Sequence, residues 1–152
     1  YYAAIDPRGL APKGWHIPSE AELNQLIDVA GGVEYVNETL KSRYYWNDNQ
    51  QGTNSLGFNG MPGGNIAFNG DFYYFGNQCN IWSSTQATDD IKPKGVYLNL
   101  DTSTTKHKLY ISEFEYGRSV RLIKDENKQG YHHEKRYFCS DTTLASLCPS
   151  KN

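Results

Sequence analysis

From Asn47 to Gly76 the chain is written mainly in Asn, Gly and Gln, with Phe58, Met61, Ile66, Phe68, Phe72 and Tyr74 standing singly among them. Asn and Gly accept turn and left-handed backbone at little steric cost, and no sustained apolar period runs through the stretch. It must be a long, structured loop region holding short strands, pinned by those single apolar residues. The rest of the composition agrees: 38% apolar residues with 12 Tyr and 14 Gly suit short strands, many turns and aromatic rings left at the surface.

Regular structure is predicted on either side. Ser19-Glu20-Ala21-Glu22 has the form of a capping box, in which Ser19 accepts from the Glu22 N–H and the Glu22 side chain reaches back. Leu23, Leu26, Ile27 and Ala30 then recur at helical spacing, and Gly31-Gly32 supplies a left-handed stop after about three turns. A weaker helix is predicted from Val33 to about Ser42, with Val33, Val36 and Leu40 inward. Val96, Leu98 and Leu100 alternate with Tyr97, Asn99 and Asp101, and Leu109 and Ile111 alternate with Lys108, Tyr110 and Ser112. These are two half-buried antiparallel strands joined by a turn from Thr102 to Lys106. Ser119 to Ile123 supplies a closing strand. The 152 residues suffice for one α+β domain with its own core: two short helices, long structured loops and a small antiparallel sheet.

Charge and motifs exclude more than they select. The 15 Lys and Arg are balanced by 17 Asp and Glu without clustering, which leaves no nucleic-acid footprint. No apolar run approaches the ~20 residues that cross a bilayer. The glycines from Gly57 to Gly64 lack the Lys-Ser/Thr ending that cradles phosphate, and no Gly-x-Ser-x-Gly elbow surrounds Ser84 or Ser119. His132, His133, Cys139 and Cys148 fit no zinc spacing, and Asp89-Asp90 are adjacent loop carboxylates. No cofactor is expected; calcium is the open alternative, since Asn47, Asp48, Asn49, Asn65, Asn69, Asp71, Asp89 and Asp90 supply oxygen-rich loops. Cys79, beside Trp82, reads as a buried free thiol. If oxidised, Cys139 and Cys148 can close a short loop worth roughly 2.5–3 kcal/mol.

Four motifs follow one another in order: Ala11-Pro12-Lys13-Gly14-Trp15-His16-Ile17-Pro18-Ser19; Gly52-Thr53-Asn54-Ser55-Leu56-Gly57-Phe58 with Met61-Pro62-Gly63-Gly64; Ile81-Trp82-Ser83-Ser84-Thr85; and Tyr116-Gly117-Arg118-Ser119-Val120-Arg121-Leu122. Together they resemble the Fibrobacter succinogenes major paralogous domain over about residues 1–124. The resemblance implies a C-type-lectin-like fold in residues 1–125, with Trp15 and Trp82 in the core and Arg121 tying strands together. It implies that more chain precedes Tyr1 in similar proteins, where a lipid attachment signal would lie, and that residues 126–152 are a C-terminal extension without a counterpart. Family members mostly lack a known activity, and their setting is the bacterial surface, so an extracellular or outer-membrane location is implied. Asp141-Thr142-Thr143 resembles a short O-glycosylation acceptor of bacterial secreted proteins. The related oxidases of the lectin-like fold use a paired-cysteine copper site in the closing region, which this chain does not match, so no enzyme is expected.

The function expected is recognition or adhesion, with a glycan or a surface protein as partner. Aromatic faces stack on sugar rings while amides and carboxylates match hydroxyl geometry. The outward phase of the strands nominates Tyr97, Asn99, Asp101 and Tyr110 as exposed ligand contacts, joined by Asn69, Asp71 and Tyr73 from the long loop. The alternative is a structural subunit of a surface filament or outer-membrane complex, assembled through the 126–152 extension.

Overall fold

The computed structural model describes residues 1–87, 93–102 and 108–125. In chain order its elements are α1 (Tyr2–Ile5), β1 (Trp15–His16), α2 (Glu20–Val29), α3 (Val36–Leu40), β2 (Asn65–Ile66), β3 (Phe72–Tyr73), β4 (Cys79–Ala87), β5 (Lys94–Leu100), β6 (Leu109–Glu113), β7 (Ser119–Val120) and β8 (Ile123–Lys124). The class is α+β.

Helix α2 begins at a complete capping box: Ser19 Oγ accepts from the Glu22 N–H at 3.3 Å, and the Glu22 carboxylate accepts from the Ser19 N–H at 2.9 Å. A cap of this kind contributes about 1 kcal/mol. The helix ends in a Schellman motif, with the Gly31 N–H on the Asp28 carbonyl and the Gly32 N–H on the Ile27 carbonyl. The second helix is shorter than its expected span, five residues instead of a run to Ser42. Its predicted inward residues Val36 and Leu40 are nonetheless fully buried.

The main sheet has the order β6-β5-β4-β7, antiparallel except for the parallel β4–β7 pair. On one face, Leu23, Leu26 and Ile27 of α2 and its C-cap Ala30 join Ile81, Leu98 and Leu100 in the larger core cluster. The opposite face is also covered. Tyr1 stacks on Phe114 at 4.2 Å and meets the Trp82 ring edge-on at 4.9 Å, and Ala4 and Ile5 of α1 pack beside them. The register of β4 on β5 slips between Trp82 and Gln86, so Ser83, Ser84 and Thr85 form a bulge. Its polar groups bond outward: Ser83 Oγ donates to the Val96 carbonyl, the Ser84 N–H to that of Pro18, and Thr85 Oγ1 accepts from the Glu20 N–H. The Ile81-Trp82-Ser83-Ser84-Thr85 motif thus locks the sheet to the start of α2.

Four expectations are corrected. Of the loop anchors only Phe58 is buried; Met61, Ile66, Phe68, Phe72 and Tyr74 are exposed, because the small β2–β3 hairpin on which most of them lie is fixed at the surface, bridged to Gly117 through Ile66, instead of entering the core. Ile111, placed inward by its phase, is 59% exposed, since β6 is the edge strand and core contact there ends with Leu109. Trp15 is 36% exposed because its strand is a two-residue ladder against β8 at the rim. The closing strand is two pieces: Ser119–Val120 pairs with β4, and Ile123–Lys124 leaves that sheet for β1. Trp82 is buried as read, and Arg121 does tie segments, donating to the Phe58 carbonyl while lying 4.5 Å from that ring's centre. The 126–152 extension, Cys139, Cys148, His132, His133, Asp89, Asp90 and the core of the Thr102–Lys106 turn lie outside the described residues.

His16 reinforces the β1–β8 clasp, with Nδ1 2.6 Å from Asp125 Oδ1 and Nε2 3.0 Å from Glu22 Oε1. Partial burial opposes the charged ring, but the bonds to Asp125 and Glu22 outweigh it and raise its pKa above 6.5. Burial likewise pushes the Glu22 carboxyl up, and the bonds from Ser19 and His16 reverse this and hold it below 4.5. The His16 contribution is therefore complete below pH 6.5 and fades as pH rises through the raised value, whereas that of Glu22 is complete above pH 4.5 and fades on acidification. Urea unfolding of the parent and of His16→Gln should show the stability difference between them shrinking as pH rises above 6.5; a difference independent of pH would remove the clasp from the explanation.

Candidate functional site

Strand alternation sends Asn80 and Trp82 of β4, Tyr97 and Asn99 of β5, and Tyr110 and Ser112 of β6 to the face away from α2. Tyr97 lies opposite both Trp82 and Tyr110, and Asn99 opposite Asn80. Part of this face is closed by Tyr1 and Phe114, and the remainder forms a cleft of about 410 Å³. The β2–β3 hairpin contributes Asn65 and Tyr74 to its lining, and the segment before β7 contributes Tyr116 and Arg118.

The floor is an amide relay. Asn99 Nδ2 donates to Asn80 Oδ1 at 2.8 Å, and Asn80 Nδ2 to Gln78 Oε1 at 3.2 Å. Beside it the Tyr97 and Tyr110 rings lie 5.8 Å apart at 32°, and Tyr97 meets Trp82 edge-on at 5.6 Å. The Arg118 guanidinium sits among three rings, 4.0 Å from the centre of Tyr97, 4.4 Å from Trp82 and 5.1 Å from Tyr116. Its Nη2 donates to Ser112 Oγ at 3.1 Å, while Nε and Nη1 are buried and meet no acceptor. Burial lowers the Arg118 pKa from its usual value, against the pull of Tyr97 and Tyr116.

Asp101 marks the other end, four residues along from Tyr97 and about 13 Å away at 3.3 Å per residue. Lys108 Nζ is 3.4 Å from its carboxylate, and Lys41 Nζ donates to its carbonyl at 3.1 Å while lying 3.9 Å over the Trp46 ring. Burial brings Lys41 down to about 8, with Asp101 resisting and Lys108 assisting.

The structure therefore brings Tyr97, Asn99, Asp101 and Tyr110 into one cleft, though not as exposed residues. Asn99 is only 5% exposed and the other three are half-buried, because the hairpin and the segment before β7 cover a face that phase alone left open. Asn69, Asp71 and Tyr73 stay outside it on the hairpin: Asn69 Nδ2 donates to Asp71 Oδ2 at 2.7 Å, fastening the turn, and Tyr73 points to solvent. Sequence reading missed Asn80, Asn65, Tyr74, Tyr116 and Arg118. Asn80 had a signal, a polar residue inside the apolar run Cys79–Trp82, and Arg118 lies in a motif read only as a signature.

Other candidates resolve into structure. The Cys79 thiol is buried and burial pushes it up to about 12, with Arg121 pulling the other way, so no reactive thiolate forms near neutral pH. Asn47–Asn49 is a 3-10 turn with left-handed Asp48 and Asn49, and among the described residues no three His, Cys, Asp or Glu side chains gather as metal ligands. Among them, too, no helix is long and apolar enough to cross a membrane.

The family model of the Fibrobacter succinogenes major domain matches residues 1–124. No curated protein and no solved structure shows a significant match.

Proposed function

The chain belongs to the Fibrobacter succinogenes major domain family, and we propose that it is a non-catalytic, C-type-lectin-like recognition module displayed at the bacterial surface, with a glycan as its ligand. One observation carries the reading: a single cleft combines the Tyr97–Tyr110 ring pair with the Asn80–Asn99 amide relay. Rings of that kind stack on the apolar face of a pyranose, and amides give and accept the bonds that hydroxyls need. The hairpin would form one wall through Asn65 and Tyr74.

A glycan array probed with the whole chain, with and without calcium, tests this. Selective binding is expected, weakened about two- to tenfold by Tyr110→Ala, since an aromatic stacking contact is worth about 0.5–1.5 kcal/mol and 1.4 kcal/mol is tenfold. A blank array from folded protein, or a Tyr110→Ala variant that binds as the parent does, would contradict it.

A second reading has its own support. Phe68, Phe72 and Phe75 are 77%, 70% and 74% exposed on and beside the hairpin, an apolar display suited to a protein partner in a surface assembly. Under that reading size-exclusion chromatography shows the whole chain assembled and the folded Phe68→Ser, Phe72→Ser double variant monomeric; unchanged assembly in that variant would remove it.

A further inference from the structure

Resting on the glycan reading, we infer that the ligand is an acidic sugar, its carboxylate drawn to the Arg118 end of the cleft. A half-buried guanidinium ordinarily has a carboxylate beside it, because leaving such a charge unpaired in a low-dielectric setting is costly. Arg118 has none among the described residues: its polar neighbours are the Ser112 hydroxyl and the Tyr97 phenol, both neutral, and two of its three nitrogens meet no acceptor. Those two atoms are closed to water, so what the cleft receives from Arg118 is chiefly its charge, focused by the surrounding rings.

The carboxylate in the cleft lining, Asp101, does not neutralise that charge. It lies at the far end and is engaged by Lys108, with Lys41 on its own carbonyl. The described lining is therefore positive at the Tyr97 end, where the ring pair would hold a pyranose. A sugar stacked on Tyr97 and Tyr110 with a carboxylate toward Arg118 supplies the missing counter-charge. A neutral sugar would leave the cation with its ring contacts alone, and no counter-charge, in a cleft now emptied of water.

The test is calorimetric titration of the whole chain with oligogalacturonate, oligoglucuronate and sialyllactose, each against its methyl ester, which removes the charge and keeps the ring. At least one acid should bind tenfold or more tightly than its ester, the preference shrinking in high salt and vanishing in Arg118→Gln. Arg118→Lys, which keeps the charge without the planar group, should retain part of the preference and covers the case in which the Gln variant fails to fold. Equal binding of acids and esters, or binding of neutral glycans alone, overturns the acidic-sugar inference and leaves the glycan reading standing. No binding to any glycan by folded protein overturns both.

Discussion

Trp82→Ala is expected to lower folding stability by roughly 3–5 kcal/mol, the usual cost of emptying a buried aromatic site. Trp82 is 1% exposed and joins three groups, touching Tyr1 and Tyr97 edge-on and lying under the Arg118 guanidinium. None of these neighbours can collapse into the gap without giving up another contact. At about 2–4 °C per kcal/mol for a domain of this size, the thermal midpoint should drop by about 10 °C or more. Trp82→Phe should cost less than half as much, because the indole Nε1 is buried without a partner and its removal relieves an unmet hydrogen bond worth about 1–3 kcal/mol. Equal costs for Ala and Phe would show that Trp82 does not act through its ring.

Gly64→Ala is the second large effect. Gly64 has φ +66°, and an added Cβ would run into the Tyr73 carbonyl oxygen and stand 2.8 Å from the Phe75 nitrogen. Those atoms are backbone of the opposite arm of the hairpin, so the clash is relieved only by opening the β2–β3 pairing at its base. Gly64 also donates to the Gln78 carbonyl at 2.7 Å just before β4, so the displacement reaches the cleft. The cost should be about 3 kcal/mol or more, with loss of glycan binding. Gly70→Ala is the control: it shares the left-handed backbone, at φ +87°, but an added Cβ there meets nothing within 4 Å, so only about 1–2 kcal/mol of conformational strain is expected. If the two variants behave alike, close approach of the hairpin is not what Gly64 provides.

Local signals and long-range ones differed in how far they could be read. The α2 cap, its apolar stripe and its glycine stop depend on residues within a turn of one another, and all three form as the sequence predicts. Alternation in β5 put Val96, Leu98 and Leu100 inward correctly, since a period of two needs no knowledge of the partner strand. Phase states which face a residue takes, not what covers that face. Alternation puts Asn99 on the correct side and predicts it exposed, whereas residues distant in sequence, Asn80 and the groups of the hairpin and of Tyr116–Arg118, share its cleft. The hairpin aromatics misled for the converse reason: a lone Phe among Asn and Gly fits an anchor or a display equally, and only Phe58 has a core to enter. Arg118 was invisible as a site residue because its meaning lies in the rings of Trp82 and Tyr97, brought to it by the parallel β4–β7 pairing.

The most direct test of the central claim is to follow backbone amide shifts of the labelled chain while titrating the tightest glycan from the array. The account predicts changes concentrated at Asn80, Tyr97, Asn99, Tyr110 and Arg118; changes confined to the hairpin from Phe68 to Phe75, with the cleft silent, would contradict it.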